Sequence, residues 1–336
     1  MAIWLLSVAA MVLFMVILGG LTRLTHSGLS IVEWKLFTGW IPPLNEADWE
    51  ALFSKYQNFP EFHKTNPDMD VQGFKGIFWL EFVHRFWGRL LGFAFFLPFA
   101  VFMVRGWVTP IKGLFWKLVG LLFLGGSQGV MGWFMVMSGM VDRPDVSQYR
   151  LTAHFGLALL IIIALLWVAM NLLNKDPHDA HHQEPGRLSR ASKWLFFLVF
   201  LTALSGGFVA GLDAGFAYNT FPLMEGELIP SDVFVYDPWY LAAFEDIVTV
   251  QFNHRTLAEF TFVMVTILWF KSKSSHLAPR TRLAINALGV MAGLQVTLGI
   301  STLLLVVPVS LASLHQIGAV VLLSLATWTM HELRSS

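Results

Sequence analysis

Residues 283–330 run for 48 positions without a single Asp, Glu, Lys or Arg. A helix needs about 20 apolar residues to cross a bilayer core of roughly 30 Å, so this run holds two spans rather than one. Pro308, in Val306-Val307-Pro308-Val309, marks the break, because proline cannot continue a helix cleanly. Six further apolar stretches, at about 2–21, 76–104, 118–141, 151–174, 194–212 and 247–270, join 283–307 and 309–330 to give eight expected spans. Residues 2–21 carry no charge and are too long for an ordinary signal h-region, so they read as the first span.

Composition narrows the chemistry. Of the 336 residues, 56% are apolar and only 13% charged, where a soluble domain carries about a quarter charged. A formal net charge of zero leaves nothing to neutralise phosphates in bulk, which excludes a nucleic-acid partner. The absence of cysteine excludes disulfides, thiolate metal sites, iron–sulfur clusters and thiol nucleophiles together. Any metal must sit on His, Met or oxygen ligands, and eleven histidines are available.

Loop charges set the expected orientation. The segments after spans two, four and six, with the C-terminal tail, hold twelve Lys and Arg against four acidic residues, whereas 213–246 holds seven acidic residues and no Lys or Arg. By the positive-inside rule both termini lie on the cytoplasmic (or matrix) side. The long first outer loop, 23–75, carries Trp34, Trp40, Trp49 and the turn Pro42-Pro43, and reads as folded against the membrane surface.

The two halves repeat each other. Gly19-Gly20 matches Gly206-Gly207, His84-Arg85 matches His254-Arg255, Gln128-x-x-x-Gly132 matches Gln295-x-x-x-Gly299, and His154 matches His315, all in the same order. Chance likeness between apolar helices does not explain ordered polar markers. The expected fold is therefore an all-α integral membrane protein, its eight transmembrane helices forming two pseudo-symmetric four-helix bundles related as parallel repeats. Residues 1–174 make the first half, 175–193 an inner linker loop, and 194–336 the second half.

Spans two, four, six and eight run the same way, and place His84, His154, His254 and His315 within a band about 8 Å deep near the outer surface. Two imidazoles from parallel helices of one bundle suit the axial positions of a haem iron. The competing reading is a histidine hydrogen-bonded to a neighbouring helix. It serves for any one of the four but not for four at matched depth, since ionisable groups inside a membrane are functional by default. Zinc or copper would want three or four converging donors, and each half offers two imidazoles with at most one carboxylate. His178, His181 and His182 read as a solvated inner loop. His26, His63, His276 and His331 lie at span ends or in loops without an assigned role, His26 alone bordering the haem depth.

Span two also carries Glu81, three residues before His84 and so on the same helix face, with Arg85 free to pair with it or with a haem propionate. Span six keeps His254-Arg255 but has Gln251 in place of the carboxylate, and Glu259 stands one turn beyond Arg255. Electron transfer alone needs no such asymmetry. A carboxylate beside one haem only points to proton handling, or to a developing positive charge, in the first half. The plainer alternative is that Glu81 neutralises Arg85 or Arg89.

At these residues the chain resembles the haem A synthase family, in its cysteine-free branch with a long first outer loop. The resemblance rests on Gly19-Gly20-Leu21-Thr22-Arg23-Leu24-Thr25 with Ser27-Gly28-Leu29-Ser30, on Gly39-Trp40-Ile41-Pro42-Pro43, on Phe78-Trp79-Leu80-Glu81-Phe82-Val83-His84-Arg85, on Tyr218-Asn219-Thr220-Phe221-Pro222-Leu223-Met224, and on Phe252-Asn253-His254-Arg255. It implies a resident haem b on His254 and His315, and substrate haem O flanked by His84 and His154. It also implies Glu81 as the catalytic carboxylate at the C8 methyl, which becomes the formyl group of haem A for terminal oxidase assembly. Haem O synthase and terminal-oxidase assembly factors are the partners it suggests, in a bacterial inner membrane or a mitochondrial one. A homo-oligomer is compatible with it, and the electron acceptor is not specified. Two rival readings remain at this point: a quinone-linked dihaem b-type electron-transfer protein, and a non-enzymatic haem carrier or assembly factor.

Overall fold

The computed structural model describes residues 1–33, 39–139, 146–174 and 186–334. Trp34, His178, His181 and His182, and most of the expected linker loop, lie outside the described residues. Those residues form helices α1 (Ala2–Leu24), α2 (Glu46–Tyr56), α3 (Pro60–Thr65), α4 (Val71–Val104), α5 (Leu114–Gly139), α6 (Gln148–Leu173), α7 (Gly186–Gly211), α8 (Ala242–Glu245), α9 (Ile247–Ser272), α10 (Pro279–Leu304) and α11 (Val309–Glu332). No strand occurs among them.

Seven of these helices are long and apolar enough to cross a membrane: α1, α4, α5, α6, α7, α10 and α11. The stretch expected as a further span, 247–270, forms the 26-residue helix α9, which is not among the seven. Its N-terminal half carries Gln251, Asn253, His254, Arg255 and Glu259, whose polarity offsets the apolar run that follows. The 48-residue run breaks where Pro308 requires. Helix α10 stops at Leu304, Val306 and Val307 take left-handed φ values of 60° and 56°, and Pro308 caps α11. Two β-branched residues in that region are strained, and the surroundings hold them. Asn219 Nδ2 donates to the Leu303 carbonyl at 2.8 Å, satisfying a carbonyl at the end of α10.

Contacts divide the chain into two compact units, residues 10–161, and residues 1–9 with 162–336. In the first, α4 is the organising element. Its 34 residues measure about 51 Å, some 20 Å more than a bilayer core needs. Asp70 caps it, accepting from the Gly73 N–H at 2.8 Å, and Asn45 caps α2 through the Asp48 N–H at 2.9 Å. The outer loop is folded rather than a linker. Trp49, Phe53 and Tyr56 on α2 share a buried aromatic cluster with Phe74 and Phe78 on α4, and Phe62 of α3 packs against it. The Trp87 indole donates to the Met11 carbonyl at 3.0 Å, tying α4 to α1.

In the second unit α7 packs on α9, α9 on α10, α10 on α11, and α11 back on α7, closing a ring of four helices. Asp246 caps α9 through the Thr249 N–H at 2.8 Å. The C-terminal ends of α6 and α11 and the start of α10 are joined by a polar network. Arg280 pairs with Glu332 at 2.9 Å and donates to Asn174 at 2.8 Å, and Arg334 donates to Asn171 at 2.7 Å. His331, without a role in the sequence, is 2% exposed and lies 3.1 Å from the Asn171 carboxamide oxygen, its ring edge-on to Trp167. It anchors helix ends.

Candidate functional site

Glu81 lies nearly three turns into α4, facing the chain that leaves α1, and is 2% exposed. Both its oxygens are engaged. Oε2 accepts from the Ser30 hydroxyl at 2.7 Å and from the Ile31 backbone N–H at 2.7 Å, while Oε1 accepts from Arg85 one turn along the helix. Arg85 also donates to the carbonyls of Ile31 at 2.7 Å and Glu33 at 3.0 Å. The ion pair between Glu81 and Arg85 is therefore real, and it forms part of a clamp that fixes the carboxylate against segment 30–33. Beside the clamp is a cleft of about 350 Å³, whose walls include Ser30, Ile31, Pro42, Pro43, Arg85 and Arg89.

The matching place in the second unit is built differently. Gln251, also 2% exposed, donates to the Ala214 carbonyl at 2.7 Å. Arg255 donates to the Pro222 carbonyl at 3.0 Å, its guanidinium 5.7 Å from the centre of the Phe221 ring, with Glu259 acting as a nearby charge. In both units the arginine after the histidine ties its helix to the segment that precedes it in sequence. In the first it also forms an ion pair with a carboxylate, Glu81.

The repeat markers assemble around the histidines. Gly19 of α1 lies against His84 of α4, Gly132 of α5 against His154 of α6, Gly206 of α7 against His254 of α9, and Gly299 of α10 against His315 of α11. A Cβ on Gly299 would stand 2.8 Å from its imidazole, and one on Gly206 3.1 Å. The matched glutamines do matched work: Gln128 donates to the His154 carbonyl at 3.1 Å, and Gln295 to the His315 carbonyl at 2.9 Å. Gly318 leaves room for the Gln295 amide, since a Cβ there would meet its oxygen at 2.1 Å.

The rings of His254 and His315 face each other with centroids 6.4 Å apart and planes at 85°. Two imidazoles on one metal, each bonded at about 2.0 Å, would have centroids roughly 6.3 Å apart. The spacing of the pair therefore suits axial ligation of a haem iron. In the first unit His84 and His154 are close enough to interact electrostatically, and the His154 Nδ1 is buried without a hydrogen-bond partner among the described residues. An orphaned imidazole nitrogen is what a metal ligand presents when it has no other use.

His26 is exposed, in a left-handed turn after α1, while His63 and His276 are exposed and apart from these pairs. Sequence reasoning missed Ser30 and Ser205 as partners of Glu81 and His254. Ser30 does lie in the block Ser27-Gly28-Leu29-Ser30, but nothing in its spacing identified its partner.

A family described as cytochrome oxidase assembly protein, COX15-CtaA, matches residues 2–327. A "Heme A synthase" of Nitrosospira multiformis is 51% identical over 333 residues, covering 99% of this chain and 93% of the relative. One from Paramagnetospirillum magneticum is 50% identical over 335 residues, with the same coverage. "Heme A synthase COX15" of Bos taurus is 47% identical over 337 residues, covering 98% of this chain and 81% of that protein. The chain belongs to the COX15-CtaA family of cytochrome oxidase assembly proteins.

Proposed function

We propose that this chain is a haem A synthase, an oxidoreductase that converts the C8 methyl of haem O to the formyl group of haem A for terminal oxidase assembly. Relatives of that name align with nearly all of it at about half identity. The observation that carries the reading at residue level is the unequal pair of sites: two histidine pairs, only one with a clamped carboxylate.

His84 and His154 flank the substrate haem O, and Glu81 stands at the reacting methyl. His254 and His315 hold haem b. That group, when bound, supplies a one-electron redox centre. Each of two oxidations removes two electrons and two protons and adds the oxygen of one water, giving the alcohol and then the hydrated aldehyde, which loses water to form the formyl group. The electrons leave to an external acceptor. Glu81 stabilises positive charge developing at the methyl carbon and takes the proton of the attacking water. Ser30, Ile31 and Arg85 hold its carboxylate in place for this, and Arg85 and Arg255 are positioned to meet propionates.

The same reading makes α9 a span despite its polar outer half, giving eight spans in two four-helix halves, 1–174 and 194–336, joined by 175–193. Both termini face the cytoplasm or matrix, and both histidine pairs lie toward the outer surface. The membrane is that of a bacterium, or the inner membrane of a mitochondrion.

Expression in a host that makes haem O, followed by pigment extraction, tests it. Wild type should yield haem A, whereas Glu81→Gln should retain bound haem and yield none. Haem B alone from wild type would leave an electron conduit or a haem carrier, and normal haem A from Glu81→Gln would remove Glu81 from catalysis.

A further inference from the structure

Ser205 lies one residue before Gly206 on α7, and its hydroxyl has two neighbours: the Thr202 carbonyl at 2.7 Å and His254 Nδ1 at 2.8 Å. A hydroxyl has one hydrogen. The carbonyl can only accept, so that hydrogen goes to Thr202, and toward the imidazole the Ser205 oxygen acts as acceptor. In that arrangement Nδ1 of His254 carries the ring proton. Nε2 is left with the free lone pair. At the other histidine the two units are alike: Gln295 Nε2 lies 3.1 Å from His315 Nδ1 and Gln128 Nε2 lies 3.3 Å from His154 Nε2.

The first unit lacks the serine hydroxyl. Offsetting Gly206 to Gly19 places Leu18 where Ser205 stands, and a leucine has nothing to offer an imidazole. Leu18 thus leaves His84 without the hydroxyl that His254 has in Ser205. An acceptor on the distal nitrogen of an axial histidine fixes its tautomer and ring angle and raises its basicity. Losing such a partner typically costs about 10–100-fold in metal affinity.

We propose that Ser205 is a positioning residue that makes the second haem site a resident one, and that its replacement by Leu18 in the first half leaves a site from which haem can depart. The proposal rests on His254 being an axial ligand. It accounts for how one repeat keeps a cofactor while its twin exchanges substrate and product.

The test uses the purified full-length protein with its bound haem. His254→Ala should abolish the bis-imidazole spectrum of the resident haem. If it does not, the ligand assignment fails and Ser205 is not at issue. With that established, Ser205→Ala should keep the bis-imidazole spectrum but raise the haem's midpoint potential, because a less basic imidazole stabilises ferric iron less. Transfer of that haem to excess apomyoglobin should accelerate about tenfold or more. Ser205→Thr, which retains the hydroxyl, should restore both. Should Ser205→Ala not accumulate, Ser205→Cys, with a poor acceptor of similar size, reads the same two quantities. An unchanged potential and transfer rate in either acceptor-poor variant overturns the proposal, as does a Ser205→Thr variant that behaves like the alanine.

Discussion

The Ser30 hydroxyl donates to Glu81 Oε2 at 2.7 Å, across 51 residues of sequence, where the other half of the repeat has an amide donating to a carbonyl. A hydrogen bond to a charged group contributes about 1.5–3 kcal/mol. Ser30 has a second acceptor, the Ile77 carbonyl at 3.4 Å, so its hydroxyl is held between two oxygens of α4. Ser30→Ala should therefore lower haem A formation about 10–100-fold with total bound haem unchanged, read as the haem A to haem O ratio in extracted pigment. Unchanged haem A would show that the Ile31 N–H and Arg85 suffice to place the carboxylate.

Arg85 does two things at once, pairing with Glu81 and binding the carbonyls of Ile31 and Glu33. Removing one member of a buried pair leaves an uncompensated charge, at a cost of about 3–5 kcal/mol. Arg85→Met should thus destabilise the protein by that order in a thermal melt in detergent. The double variant Arg85→Met with Glu81→Gln should recover a large part of the loss. A double variant no more stable than the single one would mean that the loop carbonyls, not the carboxylate, are what Arg85 supports.

Much of this was legible in the sequence, and the reasons differ by element. The long helices declared themselves because lipid leaves a chain no other way to satisfy its backbone, and Pro308 sits at the break it predicts. The histidine sites were legible through repetition, since Gly19, Gly132, Gly206 and Gly299 were markers before they were seen to touch imidazoles. Helices α2 and α3 were not read as helices. Trp49, Phe53 and Tyr56 do recur at helical spacing, but their partners Phe74 and Phe78 lie on a helix first read as starting at residue 76. Ser30 and Ser205 stayed hidden for a different reason. A serine hydroxyl bonds to whatever is near, so only the fold reveals which partner it has.

Tyr56, fully buried in the outer-loop cluster, accepts from the Asn66 amide at 2.9 Å. Burial, with the Glu61 charge beside it, pushes its phenol up from 10.0 to about 12. The folded loop keeps this proton at a pH where the unfolded chain has lost it, so its contribution to stability is complete below pH 10 and disappears as pH rises toward 12. Limited proteolysis of the loop 24–70 should accelerate across that window in wild type. In Tyr56→Phe, which has no phenol to ionise, that component should be missing. Parallel pH profiles for the two proteins would show that Tyr56 does not couple to loop folding.

The four glycines that face imidazoles give a graded test of the haem sites. A Cβ would stand 2.8 Å from the ring at Gly299, 3.1 Å at Gly206, 3.3 Å at Gly132 and 3.7 Å at Gly19, so only the last is an ordinary contact. Alanine raises intrinsic helix stability by up to about 1 kcal/mol over glycine, and overpacking costs about 1–3 kcal/mol where the ring has to move. The two effects separate by readout. Helix content should hold in all four alanine variants, while bis-imidazole absorbance per protein falls most in Gly299→Ala, then Gly206→Ala, then Gly132→Ala, and barely in Gly19→Ala. A loss in Gly19→Ala equal to that in Gly299→Ala would mean that these glycines accommodate something larger than the imidazole edge, and that the ring contacts do not set how tightly each half grips its haem.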